Sequence, residues 1–289
     1  MQLALIGVGL IGGSAALAMK QKGIFTAVRG FDLSAESLQK ALSMGVIDVA
    51  CGSIEEAVRG ADAVLVAVPV LAMKACFEAL APALSEHAYI TDVGSTRCGV
   101  IAAARAALGE KFANYAPVHP IAGGEMPGVE FARADLFEDA RAISTPAQGM
   151  SDAAVGFWEK VWEKVGSIVV RLTPEDHDLT FAQVSHLPHL LSYVMVKSIL
   201  REEDYDRRLS FAGAGFRDFT RIAASSPRMW TDICMANREA VLDALTAFES
   251  DLASAHELVQ RGNAKELYAL FERASQARRH LFEHRNRGK

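Results

Sequence analysis

Residues 119–125 read HPIAGGE, so an imidazole stands directly before a proline, and two glycines follow closely. A short apolar strand is predicted over Tyr115–Val118, which places His119 where the backbone has to turn. An imidazole with an ordinary pKa of about 6.5 can take up a proton at neutral pH. The stretch therefore indicates a candidate general base.

A hydroxyl at a second predicted strand end strengthens this candidate. Tyr89–Val93 is a predicted strand, and the sequence VGST closes it over residues 93–96. In a parallel sheet the turns at the carboxyl ends of the strands face one crevice, so Ser95 and His119 are expected to point the same way. Alone, His119 would more simply be a surface histidine at a strand end. With Ser95, the pair suits removal of a proton from an alcohol during hydride transfer.

A second group of histidines lies in SHLPHLLS, residues 185–192. His186 and His189 are three residues apart on a predicted helix and share one face. Pro188 between them should kink the helix and expose backbone carbonyls. No carboxylate or third histidine stands at a zinc-protease spacing, so substrate or cofactor contact is favoured and no metal site is predicted. For His186, a hydrogen-bonded place inside a domain interface is an equal alternative.

Two arginines stand in FRDFTR, residues 216–221, within a stretch rich in Gly, Ser and Pro. Arg217 and Arg221 both suit bidentate capture of a substrate carboxylate. The alternative for one of them is a charge network at a helix end, in which Arg217 pairs with Asp218. Trp230 is interpreted as a core or dimer contact rather than a substrate platform.

The sequence GVGLIG, residues 7–12, follows the first apolar run and opens the first predicted helix. Gly7 permits the tight turn, Gly9 lets the backbone approach a pyrophosphate, and Gly12 lets helix and strand pack closely. The positive end of the helix would then face the phosphates. The pattern predicts a dinucleotide-binding turn.

The end of the second predicted strand indicates which dinucleotide binds. Asp32 stands there, and a carboxylate can bind both ribose hydroxyls of NAD while it repels the 2′-phosphate of NADP. NAD is therefore preferred, although Arg29 keeps NADP open as a partner for that phosphate. Further cofactor contacts are expected from Leu10, Ile11 and Val68.

These side chains need a scaffold that brings strand ends together. Up to Leu172, β-rich runs alternate with helical stretches, the pattern of an α/β fold with a doubly wound, mostly parallel sheet of the Rossmann type. Beyond it the pattern is helical, with long helices over 173–200, 229–261 and 264–286. We expect a dinucleotide-binding domain over 1–172 and an all-α substrate and dimerisation domain over 173–289. The predicted strands are Leu3–Ile6, Val28–Asp32, Ala63–Val68, Tyr89–Val93, Tyr115–Val118, Arg141–Ser144 and Ser167–Arg171.

The composition is that of a globular protein, because 51% of the 289 residues are apolar and 22% are charged. The formal net charge of −5 argues against nucleic acid or an anionic membrane as the partner. Four cysteines, none at a CxxC spacing, favour free thiols in a reducing cytoplasm. The apolar run Leu3–Met19 is interpreted as strand, turn and helix rather than as a signal peptide, because no basic residue precedes it.

Five motifs occur in an order that resembles the prephenate/arogenate (cyclohexadienyl) dehydrogenase family of tyrosine biosynthesis. The resemblance runs across nearly the whole chain, and it implies oxidative decarboxylation of prephenate or arogenate with NAD or NADP as the hydride acceptor. The last three motifs are rather specific. The motifs are GVGLIGGS at 7–14, DVGSTR at 92–97, HPIAGGE at 119–125, SHLPH at 185–189 and GFRDFTRIAASSPRMW at 215–230.

The resemblance also implies a role for each matching residue. His119 would take the proton of the substrate hydroxyl, and Ser95 would hydrogen-bond that hydroxyl and hold His119. His189 would contact the substrate and help to order the site. Arg221 would bind a substrate carboxylate, and Glu125 would pair with Arg221 at the pocket mouth.

The family's second domain is helical and dimerises, so the resemblance implies a homodimer. Trp230 would lie near the pocket, supplied either by the same chain or by the partner subunit. Tyrosine is a candidate inhibitor, on which the residues themselves are silent.

Two other functions stay open at this point. One is a dehydrogenase of similar architecture that acts on a β-hydroxy acid or an imine, which would use a lysine such as Lys197 as proton carrier. The other is a non-catalytic dimer that senses NAD(H), which would need neither the Ser95–His119 pair nor the arginines.

Overall fold

The computed structural model describes residues 1–124 and 126–287, with side chains up to residue 280. The chain forms two compact units, Met1–Val241 and Leu242–Lys289. All candidate site residues fall within the range of the first unit. The domain boundary expected after residue 172 stays a prediction.

A parallel five-stranded sheet carries the glycine-rich turn, and its strands lie in the order β3-β2-β1-β4-β5. The Rossmann-type sheet that the sequence predicts is thereby confirmed. The central strands β1 and β4 are almost wholly buried, which explains their unbroken apolar sequences. The edge strand β3 is absent from the predicted set, because two exposed residues give no periodic signal. The strands are β1 (Gln2–Ile6), β2 (Ala27–Phe31), β3 (Val49–Ala50), β4 (Ala63–Val66) and β5 (Tyr89–Asp92).

A second, three-stranded sheet follows in the chain, with the order β6-β7-β8. β6 runs antiparallel to β7, and β7 runs parallel to β8. A bridge between Ile90 of β5 and Tyr115 brings the chain that enters β6 alongside the first sheet. The strands are β6 (Val118–Pro120), β7 (Arg141–Ser144) and β8 (Ile168–Arg171).

His119 lies inside β6, opposite Ile143, so the expectation that it stands in the turn after the strand is wrong. The strand accepts Pro120 because β6 is an edge strand. Ile121 donates its N–H to the carbonyl of Arg141 at 2.7 Å, so the missing N–H of Pro120 falls on the side away from β7. The strand therefore fixes the backbone of His119 more firmly than a turn would.

Six helices cover the two sheets. Ser34, Ser53 and Ser151 each accept a backbone N–H from the third residue along and so serve as N-caps. Trp158 and Trp162 have no exposed surface and anchor the last of these helices in the core. The helices are α1 (Leu10–Gln21), α2 (Ala35–Ser43), α3 (Ile54–Val58), α4 (Met73–Leu80), α5 (Cys98–Leu108) and α6 (Asp152–Lys164).

After β8 the described chain is helical. α7 (Pro174–Phe181) begins at the N-cap Thr173, and α8 (Leu187–Ile199) follows it after one π-helical turn over Ala182–His186. This turn widens immediately before Pro188, which has no N–H to continue the regular ladder. The widened turn places both histidines of the SHLPH motif.

The long helix expected over 264–286 is confirmed, since a helix covers Ala264–Arg287. The single helix expected over 229–261 is wrong, because Asn237 interrupts it with a side chain that bonds inward. Arg221–Ala224 forms a 3₁₀ turn. In the described residues, no helix combines the length and apolar character needed to cross a bilayer. The helices are α9 (Tyr205–Ser210), α10 (Ala214–Thr220), α11 (Pro227–Ala236), α12 (Arg238–Gln260) and α13 (Ala264–Arg287).

Candidate active site

The turn after β1 depends on three glycines in different ways. Gly7 has φ +94°, and a Cβ added there would lie 2.4 Å from the carbonyl oxygen of Ala67. A Cβ on Gly12 would lie 2.2 Å from the carbonyl oxygen of Gly7. A Cβ on Gly9 would meet no atom within 4 Å. Gly7 and Gly12 therefore serve the fold, whereas the space before Gly9, at the N-terminus of α1, is open for a phosphate group.

We predict that alanine at these positions has separable effects. Gly12→Ala should destabilise the fold by about 1–3 kcal/mol, because the added methyl group meets backbone that cannot move aside. Gly9→Ala should leave the thermal unfolding temperature unchanged and weaken NADH binding, measured by nucleotide fluorescence. Wild-type NADH affinity in Gly9→Ala would show that no pyrophosphate approaches this residue.

The carboxylate of Asp32 lies at the end of β2 beside this turn. It accepts the backbone N–H of Val8 at 3.0 Å and that of Ser34 at 2.9 Å. Arg29, which could have served a 2′-phosphate, instead donates to the carbonyl of Arg59 at 3.0 Å. Because Arg59 precedes β4, this contact lies at the opposite edge of the sheet from Asp32. The geometry therefore favours NAD.

The loop after β6 reaches the glycine-rich turn. A Cβ on Gly124 would lie 3.2 Å from Cδ2 of Leu10, the first residue of α1. Ile11 and Val68, the other expected cofactor contacts, are half-buried beside the same turn. The candidate base and the dinucleotide turn are thus joined by one short loop. A cavity of about 350 Å³ beside the contact of Gly124 with Leu10 is lined by Leu10, Gly123, Gly124, Met126, Phe131, Arg133 and Leu136.

A second histidine holds the ring of His119. Nδ1 of His119 lies 2.8 Å from Nε2 of His177. Phe181 packs against both rings, with centroid distances of 5.0 Å to His119 and 4.4 Å to His177. His119 is half-buried and His177 has no exposed surface. The ring of His119 is therefore fixed within the protein and is not turned out to bulk water.

Asp178 continues this chain of hydrogen bonds. Its Oδ1 lies 2.9 Å from Nδ1 of His177. The same carboxylate accepts the backbone N–H groups of Arg97 and Cys98 at 2.7 and 2.9 Å, at the N-terminus of α5. Asn237 donates to the Asp178 carbonyl at 2.8 Å. The carboxylate is therefore fixed from two sides.

A buried ion pair lies close to these histidines. Nη2 of Arg97 is 2.8 Å from Oδ1 of Asp92, and neither side chain has exposed surface. The hydroxyl of Tyr115 donates to the same carboxylate. Tyr115 stays protonated, since burial and the negative charge of Asp92 raise its pKa well above 10.0. The pair places a permanent guanidinium charge within electrostatic reach of the two rings.

Burial and this charge keep the histidines neutral near pH 7. Burial lowers the pKa of His119 well below 6.5, and the neighbouring His177, the Arg97 guanidinium and His186 lower it further, because each disfavours a second positive charge there. Burial also lowers the pKa of His177, against the hydrogen bond to Asp178. For His186, burial lowers the pKa to about 4. A neutral His119 can act as a base.

Two further residues expected in the site are Ser95 and Glu125. Ser95 is half-buried after β5, but within the described parts of the chain it makes no hydrogen bond to His119, whose Nδ1 lies beside Nε2 of His177. Its contact with a substrate hydroxyl stays a prediction. Glu125, expected to pair with Arg221, lies outside the described residues.

His189 and Trp230 form a second part of the site. Nδ1 of His189 lies 2.8 Å from the Ser185 carbonyl oxygen, one of the carbonyls that the Pro188 motif was expected to expose. Trp230 of the same chain stacks on His189 at a centroid distance of 3.5 Å, so the partner subunit is not needed to supply it. His186, by contrast, is buried and hydrogen-bonded to Asn237. This agrees with the alternative that gave His186 a hydrogen-bonded place in the interior.

Arg221 lies close enough to His189 for its charge to act on that ring. Burial lowers the pKa of His189, and the positive charge of Arg221 lowers it further. Because the neutral ring donates Nδ1–H to Ser185, its Nε2 is an acceptor, and the ring itself offers no positive charge.

Arg217 has a different local role. Its guanidinium donates to the carbonyl of Ala212 at 2.8 Å, beside the start of α10, and not to Asp218, the partner that the alternative named. Asp218 follows Arg217 directly in α10, and consecutive helical side chains do not face each other. Substrate binding by Arg217 stays a prediction.

His177 and Asp178 are the site residues that the sequence does not reveal. In TPEDHD, residues 173–178, the pattern predicts only a helix start. A histidine followed by an aspartate in the first turns of α7 was a weak signal, because nothing in the sequence pairs it with His119, 58 residues away.

Across the part of the chain that the structure describes, no group of three or more His, Cys, Asp or Glu side chains could hold a metal ion. The four cysteines, at positions 51, 76, 98 and 234, are free thiols. Burial raises the pKa of Cys76 and of Cys98 to about 12, so these two are not reactive thiolates at neutral pH.

Two family models match the chain in succession. The model described as prephenate dehydrogenase, nucleotide-binding domain, matches residues 15–171. The model described as prephenate dehydrogenase, dimerization domain, matches residues 173–273. Together they span most of the 289 residues.

Individual relatives carry related names. The chain is 36% identical to a prephenate dehydrogenase of Bacillus subtilis over 276 residues, covering 95% of this chain and 74% of the relative. It is 35% identical to a cyclohexadienyl dehydrogenase of Zymomonas mobilis over 280 residues, covering 96% and 94%. The prephenate dehydrogenase of A. aeolicus, solved with hydroxyphenyl propionate and NAD⁺, superposes with a TM-score of 0.91 at 34% identity, covering 97% and 98%.

Proposed function

The chain belongs to the prephenate dehydrogenase family, and on that premise we propose that it catalyses the NAD-dependent oxidative decarboxylation of prephenate, of arogenate, or of both. Its products would be 4-hydroxyphenylpyruvate or tyrosine, with carbon dioxide and NADH. The observation that carries the proposal is the ring of His119, fixed by His177 and joined to the dinucleotide turn by one loop.

The residues around β1 and β2 fit an NAD cofactor. Gly9 and the N-terminus of α1 would hold the pyrophosphate, and Asp32 would bind the ribose hydroxyls. When bound, the nicotinamide supplies the acceptor for the hydride that leaves C4 of the substrate. The residues of this chain would align that carbon, exclude water and accept and return one proton.

His119 would accept this proton and later return it. As the C4–H bond breaks, the C4 hydroxyl proton moves toward Nε2 of His119, whose Nδ1 is occupied by His177. The bond between C1 and its carboxylate then breaks, carbon dioxide leaves, and the electron pair joins the ring. The phenol oxygen recovers a proton from His119, so the imidazole ends neutral. Ser95, which follows β5, would hydrogen-bond the same hydroxyl.

The other parts of the substrate would be held by the helical residues. Prephenate carries two carboxylates, and an acidic protein has to bind them with local positive charge. Arg221 would bind one carboxylate as a planar fork. His189, held by Ser185 and stacked under Trp230, would contact the substrate through Nε2 as an acceptor.

Turnover tests this proposal. We expect NADH absorbance to rise when NAD⁺ and prephenate are supplied, and an arogenate arm decides whether the second substrate is used. If neither compound is turned over while NADH still binds, the chain is a nucleotide-binding module and the proposed function is wrong.

Asp32 should set the preference between NAD and NADP. We predict that Asp32→Ala narrows the ratio of kcat/KM for NAD over NADP about tenfold or more, because hydrogen bonds to a charged group contribute about 1.5–3 kcal/mol. Arg29→Ala is the control and should leave the ratio unchanged, since its guanidinium binds Arg59. A wild-type preference for NADP would contradict this account of the β2 end.

The rival dehydrogenase on a β-hydroxy acid or an imine loses its expected proton carrier. Lys197 is exposed and lies eight residues beyond His189 on α8, which is roughly 12 Å along a helix. No observation in the site favours that function over the proposed one.

A homodimer formed through the helical segments is the proposed assembly. The family model over residues 173–273 is described as a dimerization domain. Sedimentation should give twice the 31.1 kDa chain mass, and a monomer would refute the assembly. Large apolar side chains exposed on α12 and α13 support it, namely Leu242, Leu252, Val259, Tyr268 and Phe271.

The proposed cellular location is the cytoplasm. The free cysteines suit a reducing compartment.

Tyrosine is a proposed inhibitor. It is a phenol with a three-carbon carboxylate chain, like the hydroxyphenyl propionate bound by the A. aeolicus relative. Tyrosine would therefore compete with prephenate, and a raised KM without loss of kcat would test this.

A further inference from the structure

Three side chains from two distant segments form one linear chain of hydrogen bonds. Nδ1 of His119 on β6 lies 2.8 Å from Nε2 of His177, and Nδ1 of His177 lies 2.9 Å from Oδ1 of Asp178 on α7. His119 is half-buried, whereas His177 has no exposed surface and Asp178 is 6% exposed. Of these three side chains, only His119 is accessible to a substrate.

The charge state of Asp178 determines every proton position along this chain. Burial alone would raise the pKa of Asp178, but hydrogen bonds from His177 and from the N–H groups of Cys98 and Arg97 lower it overall. An ionised carboxylate only accepts, so His177 donates through Nδ1–H. A neutral His177 then has its lone pair on Nε2, and His119 has to donate Nδ1–H to it. The remaining lone pair lies on Nε2 of His119.

The surroundings hold this chain in place. Phe181 stacks on His177 with an interplanar angle of 28° and also packs against His119. The backbone N–H groups of Arg97 and Cys98 fix the carboxylate of Asp178, and Asn237 holds its carbonyl. The rings therefore have little freedom to rotate.

We propose that His177 is a positioning residue which, with Asp178 behind it, selects the tautomer of His119 that carries its lone pair on Nε2, toward the substrate hydroxyl. This inference rests on the proposed function, since it assigns His119 as the base. It adds that the base is competent because of a buried partner that never touches the substrate. When Nε2 takes up a proton, the charge that forms on His119 is linked through His177 to the carboxylate of Asp178.

Two substitutions of His177 test its two hydrogen bonds separately, because each keeps one bond and removes the other. His177→Gln places an amide oxygen near the former Nε2, so it can still accept from His119, but it loses the bond to Asp178. His177→Asn can reach Asp178 but leaves Nδ1 of His119 without its partner. We expect His177→Asn to lower kcat about 10²-fold with KM for prephenate nearly unchanged, and His177→Gln to recover at least tenfold of that loss. Thermal unfolding and NADH affinity verify that both variants fold.

A direct reading of the tautomer does not require turnover. Imidazole ¹⁵N shifts of histidine-labelled protein with NAD⁺ show which ring nitrogen carries the proton, and His119→Asn assigns the signal. We expect wild-type His119 protonated at Nδ1 and bare at Nε2, and a mixture of tautomers in His177→Asn. The exposed His87 is the control, and its signal should be the same in both proteins.

The outcomes keep the two proposals apart. A proton on Nε2 of wild-type His119, full kcat in His177→Asn, or equal losses in the two variants would each overturn the positioning role while wild-type turnover stands. Absence of wild-type turnover with the expected ¹⁵N pattern would overturn the proposed function and leave the tautomer selection intact.

Discussion

Replacing His119 with asparagine should lower kcat by about 10²–10⁴-fold, the usual contribution of a general base. An asparagine can still donate to Nε2 of His177 from about the place of Nδ1, so the buried chain should stay ordered. What is lost is the outer nitrogen, the only part of the ring proposed to meet the substrate. Stopped-flow and steady-state NADH absorbance at saturating prephenate measure the loss.

NADH affinity is the control for this variant, because the dinucleotide turn is separate from the imidazole. It should match the wild type within about twofold. A kcat near the wild-type value would remove His119 from the role of base, whatever the state of the remaining site.

The pH profile of the wild type adds a second check on the same residue. Only neutral His119 accepts a proton, so activity is lost as pH falls through its pKa, which burial, the neighbouring His177 and the Arg97 guanidinium hold well below 6.5. We therefore expect kcat/KM to stay level from pH 7 down past 6.5 before it falls. An acid limb at or above pH 6.5 would contradict the buried setting of the ring.

Replacing Arg221 with alanine should raise KM for prephenate about 10- to 100-fold and change kcat much less. A charge-assisted hydrogen bond contributes about 1.5–3 kcal/mol, and the exposed setting of Arg221 favours the lower part of that range. The loss should shrink at high ionic strength, because screening weakens the attraction that remains in the wild type.

Arg217→Ala is the matched comparison on the same segment. Both arginines are exposed and lie four residues apart, and the Arg217 guanidinium donates to the carbonyl of Ala212. If Arg221 binds the carboxylate, the Arg217 variant should change KM by less than about threefold. A reversal of the two effects would assign the substrate to Arg217.

Local sequence was sufficient to predict the glycine-rich turn and the acidic strand end beside it. The turn at Gly7–Gly12 and Asp32 lie within about 30 residues, and Gly7 and Gly12 are required by backbone on the adjacent strand end or a few residues away. The alternation of strands and helices predicted the Rossmann-type sheet for the same reason. Short-range steric rules determine these features, so they can be read without a structure.

The base itself shows where such rules stop. The apolar residues before His119 predicted a strand that ends too early, because an edge strand can include a proline whose missing N–H faces away from its neighbour. His177 could not be paired with His119 from sequence, since the contact depends on how α7 packs against β6. The break at Asn237 was hidden likewise, because its partners His186 and Asp178 come from another helical segment.

A structure of the protein with NAD⁺ and hydroxyphenyl propionate bound tests the central claim most directly. The account predicts Nε2 of His119 about 2.6–3.2 Å from the phenol oxygen, with the guanidinium of Arg221 on the carboxylate of the same molecule. A phenol oxygen bound elsewhere, or a carboxylate held without Arg221, would contradict it.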